Sequence, residues 1–297
     1  MSPKGHRMRI VLLGTGTPGP NPNRRQSAVA IDIGADRLLF DAGSGAVHQM
    51  ACAGLLPIRV NPIFLTHHHF DHLGDLFDVL AVTAMSGREN PMRIIGPPGT
   101  TEIVRGLLDV VYARDIRSRY LDAAMSRAHG VELEDPHAIR LVDVVETDGS
   151  HVESGDGWTV RTAEVCHGDM TADPEFNWRC LGYRIEAGEK VVAISGDTVP
   201  CDGLRTLADG ADVLIQCCHC PESRVNEPAV ALLTRETLPS AGQVGSFAAT
   251  CNVGRIVLTH ISMHADTPET LEAMRRDVAG THDCDVIVGQ DLMVIDV

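Results

Sequence analysis

Thr66-His67-His68-His69-Phe70-Asp71-His72 follows directly on a short apolar run, Ile63-Phe64-Leu65, and leads into Leu73 to Ala84, which has helical spacing. On an extended segment, residues two apart project to the same side, so His67 and His69 can share one cation. Asp71 and His72 then turn to the other side, where they can reach a second. Imidazoles with a carboxylate suit zinc, and also manganese, iron or cobalt. A merely solvated histidine tract has no need of an interleaved aspartate at a sharp strand-to-helix transition, and the loop at the end of a strand is a common place for a functional site.

The same theme recurs outward from this stretch. Met8 to Gly14 is an apolar run that breaks into a glycine- and proline-rich turn, Gly14 to Gly19. That turn lacks the Gly-Lys-Ser/Thr ending of a phosphate loop. Ser27 to Ile33 and Arg37 to Phe40 read as strands, the second ending in Asp41-Ala42-Gly43. Helical spacing covers Thr101 to Tyr112 and Ser118 to Arg127, and strands are expected at Ile139 to Val145 and Trp158 to Val165. Beyond them, Leu181 to Ile185, Val191 to Ser195, Val213 to Gln216 and Ile256 to Leu258 read as strands, several followed closely by histidine or aspartate. Gln243 to Thr250 and Pro268 to Val278 read as helices. Strands in both halves with helices between them predict two sheets packed face to face and covered by helices. No linker interrupts the pattern, so residues 1–297 are expected to form a single domain.

Composition narrows the partners. The net charge is −15, and lysine occurs only at Lys4 and Lys190. Such a chain repels a phosphate backbone unless its arginines cluster, and the densest groups are only Arg24-Arg25, Arg114 to Arg119 and Arg275-Arg276. Composition therefore leans against nucleic acid as the main partner. Nine scattered cysteines suit reduced thiols better than a disulfide framework. Met1 to Met8 does not resemble a signal peptide, and the apolar run after it is too short to span a bilayer, so a soluble cytoplasmic protein without membrane association is expected.

Four further motifs join the histidine stretch in chain order: Phe40-Asp41-Ala42-Gly43, Val165-Cys166-His167-Gly168, Ile194-Ser195-Gly196-Asp197-Thr198 and Leu258-Thr259-His260-Ile261-Ser262. As a set they resemble the metallo-β-lactamase superfamily, with its HxHxDH signature. That resemblance implies an α/β fold, the four-layer αββα sandwich, and two divalent metal ions, zinc first among the candidates. One metal would take His67, His69 and His167. The other would take Asp71, His72 and His260, with Asp197 bridging and Asp41 buttressing the site. Leu13 to Pro18, Gly96-Pro97-Pro98-Gly99 and Leu181 to Glu186 are similar to the ribonuclease Z branch, which includes small-molecule hydrolases such as some arylsulfatases and in which a dimer is expected.

Three departures from the tRNA-processing members stand out. Tyr183 and Ser195 are joined by one short hairpin, where those members often carry a protruding arm. Gln216 and Cys217 occupy the places of a His-Glu pair that assists the leaving group, and His219 could partly replace it. The stretch after His167 carries Asp169, Asp173 and Glu175 beside Phe176 and Trp178, poor company for a polyanion. Cys217 and Cys220 have CxxC spacing but lack a second ligand pair. The expected activity is hydrolysis of a small ester, lactone, amide, or phospho- or sulfo-ester by a water activated at two metals. Asp71 would orient that water, and His219 or His264 would protonate the leaving group. A tRNA 3′-end endonuclease is the alternative. A non-catalytic metal sensor is a third reading, but it would not need every ligand together with Asp71.

Overall fold

The computed structural model describes residues 7–131, 133, 136–168 and 178–297. The first six strands are β1 (Met8–Gly14), β2 (Ala28–Ile33), β3 (Asp36–Phe40), β4 (Val60–Phe64), β5 (Met92–Gly96) and β6 (Val142–Glu146). The next seven are β7 (Val152–Gly155), β8 (Trp158–Val165), β9 (Cys180–Ala187), β10 (Lys190–Ile194), β11 (Val213–Cys217), β12 (Arg255–Thr259) and β13 (Asp285–Val288). β14 (Val294–Asp296) returns to the edge of the first sheet. The two seven-stranded sheets run in the orders β14-β1-β2-β3-β4-β5-β6 and β13-β12-β11-β10-β9-β8-β7.

The apolar runs are nearly continuous because both faces of the strands are covered. In β1, Ile10 and Leu12 point into a core between the sheets, shared with Phe40, Phe64, Tyr183, Ile185 and Val257. Val11 and Leu13 point the other way, into a layer with Met50, Leu76, Leu80 and Val104 from outer helices. The second sheet is covered likewise, with Leu214 and Ile256 packed against Leu207, Val244, Met274 and Val278. This is the αββα arrangement of the metallo-β-lactamase fold. Tyr183, fully buried, joins the two sheets: its hydroxyl donates to the Leu65 carbonyl at 2.5 Å, one residue before the histidine stretch begins.

Topology brings the polar loops to one edge. β3 and β4 are parallel, as are β10, β11 and β12. β8 is antiparallel to β9, and β9 to β10, so β8 also runs with β10. The loops after β3, β4, β8, β10, β11 and β12 therefore leave their strands on matching sides.

Several elements differ from the sequence expectation. The helical stretch Leu73 to Ala84 is broken at Gly74-Asp75: one turn spans Phe70–Leu73 and a helix spans Leu76–Met85. Asp75 explains the break, because its carboxylate accepts from the amides of Gly45 and Val47. The helix from Thr100 to Gly106 widens into a π turn at Leu107–Val111 before a long helix at Ala113–Ala128. Ile139 belongs to a 3-10 turn, Pro136–Arg140, and only Val142–Glu146 is strand. The hairpin between β9 and β10 is as short as expected, with Ala187 paired to Lys190 and Gly188 in the left-handed region. Among the described residues no helix is long and apolar enough to cross a membrane.

Candidate metal centre

The loops at the common edge converge on three groups of donor atoms, each within 4.8 Å of one another: His67, His69 and His167; His67, His72 and Asp197; and Asp71, His72 and His260. All seven residues singled out as ligands in the sequence are thus brought together. His69 is the exposed member; the others are buried. His67 Nε2 lies 2.9 Å from His69 Nδ1, and His167 Nε2 lies 3.3 Å from that same atom. Asp197 Oδ2 is 3.1 Å from His260 Nε2, 3.7 Å from His72 Nε2 and 3.9 Å from His167 Nε2. It is the carboxylate that reaches both halves of the cluster.

The backbone is bent to allow this. Asp41 and His260 adopt left-handed φ values of 58° and 57°, which a side-chain-bearing residue takes up only when its surroundings enforce it. Gly196, at φ 61°, lies so close to its neighbours that a Cβ there would meet the Leu181 carbonyl at 2.8 Å. Asp41 is the hub behind the ligands. It accepts from the Thr66 amide at 2.8 Å and the Thr66 hydroxyl at 2.9 Å, and its Oδ2 lies 2.7 Å from His72 Nδ1. His167 Nδ1 lies 2.9 Å from the Thr237 carbonyl, and His67 Nδ1 lies 3.0 Å from the Thr66 hydroxyl. These contacts turn the Nε2 atoms of His67, His72 and His167 into the cluster, as outer hydrogen bonds do for metal-ligating imidazoles.

The donor set fits divalent cations. Asp71 Oδ1 and His72 Nε2 are buried without a hydrogen-bond partner among the described residues, which is costly unless something else occupies that space. Burial holds the His67 imidazole well below its usual pKa, so it is neutral, as a ligand must be. Burial also opposes charge on His72, but Asp41 and Asp197 outweigh it and raise that pKa well above the usual value. A proton there balances the carboxylates where a cation would do so. Burial alone would raise the Asp197 pKa; His260 and His72 instead keep it well below the usual range.

The two candidate proton donors fare differently. His219, half-buried at the end of β11, has its pKa lowered by burial, with Arg224 and His260 adding to the effect. That environment favours a neutral ring. His264 is exposed, and among the described residues no hydrogen bond ties either ring to the cluster. Gln216 is buried, its amide donating to the Cys217 carbonyl at 3.2 Å, and the Cys217 thiol receives the Thr198 amide at 3.3 Å. Burial pushes the Cys217 thiol pKa strongly up. Neither residue is equipped to shuttle a proton. Asp169, Asp173, Glu175 and Phe176 lie outside the described residues, but Trp178 is described and packs against His69, ring centroids 4.9 Å apart. Sequence reasoning missed Thr237, whose carbonyl orients His167 from 70 residues away and carries no side-chain signal.

Residues 36–261 match the family model described as the β-lactamase superfamily domain. Ribonuclease Z of Mycobacterium bovis (strain BCG / Pasteur 1173P2) is 33% identical over 98% of both chains, and ribonuclease Z of Mycobacterium avium (strain 104) is 33% identical over 85% of both. Among solved structures, the metallo-β-lactamase fold protein YhfI of Bacillus subtilis superposes with a TM-score of 0.73 at 15% identity, over 98% of this chain and all of that one. The short form of human tRNase Z superposes at 0.66 with 22% identity, over 97% of this chain and 98% of that one. The chain belongs to the β-lactamase superfamily of metal-dependent hydrolases, with ribonucleases Z among its relatives.

Proposed function

We propose that this protein is a two-metal phosphodiesterase of the ribonuclease Z kind, acting at the 3′ end of precursor tRNA. The end-to-end relation to ribonucleases Z carries this reading, and it weighs more than the small-molecule preference read from the sequence. His67, His69 and His167 would hold one cation, Asp71, His72 and His260 the other, and Asp197 both. Bound there, two divalent cations, zinc first, supply Lewis-acid polarisation of the scissile group and acidify water. The protein's own part is orientation. Asp71 is kept ionised: burial works to raise its pKa, but the hydrogen bond from His260 and the charge on His72 hold it down. Its Oδ2 lies 3.3 Å from His260 Nε2, which leaves Oδ1 as an acceptor for a water in the cluster. A cytoplasmic location and a homodimer go with this reading, and the exposed Val110, Val111, Leu121 and Met125 offer an apolar face for the latter.

One observation favours a second reading. With Gln216 and Cys217 in place of a His-Glu pair, the site lacks an evident acid for a poor leaving group. That suits small aryl phospho- or sulfo-esters, whose leaving groups depart without protonation. The deciding experiment offers metal-loaded protein a 3′-extended precursor tRNA and, in parallel, bis(p-nitrophenyl) phosphate and p-nitrophenyl sulfate, with His69→Ala as control. Cleavage at the discriminator base, lost in the control, is the expected result. Turnover of an aryl ester with the tRNA left intact would move the assignment to the second reading.

A further inference from the structure

We propose that Trp178 is a positioning residue for His69, doing by ring packing what hydrogen bonds do for the other histidines; the proposal rests on the cluster being a metal centre. His67, His72 and His167 each have their outer nitrogen engaged, by the Thr66 hydroxyl, the Asp41 carboxylate and the Thr237 carbonyl. His260 is enclosed, at 4% exposure. His69 has neither support. It is exposed, its Nδ1 faces the cluster, and among the described residues its Nε2 has no hydrogen-bond partner. An exposed imidazole is otherwise free to rotate away from the position a ligand must keep.

Trp178 fills the missing role. Its ring centroid lies 4.9 Å from that of His69, with the planes tilted by 43°, and 6.0 Å from that of His67, nearly perpendicular at 81°. The indole is thus wedged against the two histidines of one donor group, tilted against His69 and edge-on to His67, at centroid distances typical of aromatic pairs. The indole is placed by the chain itself: it stands two residues before Cys180, the buried first residue of β9. The start of β9 therefore places Trp178, and Trp178 packs on the one candidate ligand that faces solvent.

The arrangement has an optical consequence. The chain has only two tryptophans, and Trp158 is buried and donates to Asp36 in the neighbouring sheet. Open-shell Co2+ at the His67–His69–His167 group would quench Trp178 by proximity.

The test titrates metal-free full-length protein with Co2+, followed by tryptophan emission, and with Zn2+ in competition with a chromophoric chelator. Wild type, Trp178→Phe, Trp178→Leu and Trp178→Ala are compared. Loss of an outer partner typically weakens binding 10–100-fold, so Trp178→Ala and Trp178→Leu should bind Zn2+ about 10-fold more weakly, while Trp178→Phe stays near wild type. Co2+ should quench wild type strongly and Trp178→Phe hardly at all. Wild-type Zn2+ affinity in Trp178→Leu, whose side chain keeps apolar bulk without a ring, would overturn the proposal even if the alanine variant failed to fold. A wild-type protein that takes up no metal would instead overturn the metal centre itself.

Discussion

Asp71→Ala is expected to lower turnover by about 10^3–10^4-fold, near the upper range for loss of a positioned acid–base group, and to leave the fold intact. The carboxylate is buried at the meeting point of His72 and His260, with one oxygen unpartnered among the described residues. Its removal would delete both a candidate metal donor and the acceptor proposed to orient water. Asp41 and Asp197 still face His72 after its removal, so no buried charge is left without a partner there. Asp71→Asn should be nearly as inactive, because a neutral amide replaces the carboxylate poorly both as a cation donor and as an acceptor for water. Steady-state rates on an activated phosphodiester, alongside circular-dichroism melting, check both halves. Turnover within tenfold of wild type in a folded Asp71→Ala protein would remove Asp71 from the mechanism.

Removing the metals should have the second large effect. Chelation is expected to abolish hydrolysis and also to lower thermal stability, because a ligand that binds only the folded state stabilises it by mass action. At a hundredfold excess over Kd that contribution is about 2.7 kcal/mol per site, or roughly 4 °C in Tm for a chain of 297 residues. Asp71 Oδ1 and His72 Nε2, buried without partners among the described residues, would be the source of a preference for the loaded state. Differential scanning fluorimetry after chelator treatment, with zinc added back in steps, reads the shift. A Tm and an activity both indifferent to chelation would contradict a resident metal.

The candidate donors that the fold gathers were legible because each sits in a short motif just after a buried strand. His67 and His69 follow β4, His167 follows β8, Asp197 follows β10 and His260 follows β12. Local chemistry and chain order were enough to assemble them. The supporting contacts were not legible in the same way. Thr237 acts through its backbone carbonyl, and the hold of Trp178 on His69 depends on where β9 begins. The strands missed in the sequence, β5, β7, β13 and β14, are short, and three of them lie towards sheet edges, where alternation over three to five residues is weak. The helices at Ala46–Cys52, Asp202–Ala208 and Pro228–Glu236 were missed as well. The first two are only seven residues long, too short to display two full turns of periodicity.

Substrate is where the sequence and its relatives pull apart. A net charge of −15 and the Gln216-Cys217 replacement argue one way, and the ribonuclease Z relatives the other. Charge is a long-range average and does not exclude a local path for RNA. Gln216 and Cys217 bear directly on the chemistry, because both are buried behind the cluster and neither can donate a proton to a departing ribose oxygen. The substrate comparison therefore decides between two versions of the same metal chemistry.

The most direct test of that shared chemistry is a count of metal per chain. Zinc-loaded wild-type protein, freed of excess metal and measured by inductively coupled plasma mass spectrometry, should hold two ions. His167→Ala should hold fewer, because its group keeps only His67, His69 and the reach of Asp197. One ion or none in the wild type at saturating zinc would contradict a dinuclear centre built from His67, His69, Asp71, His72, His167, Asp197 and His260.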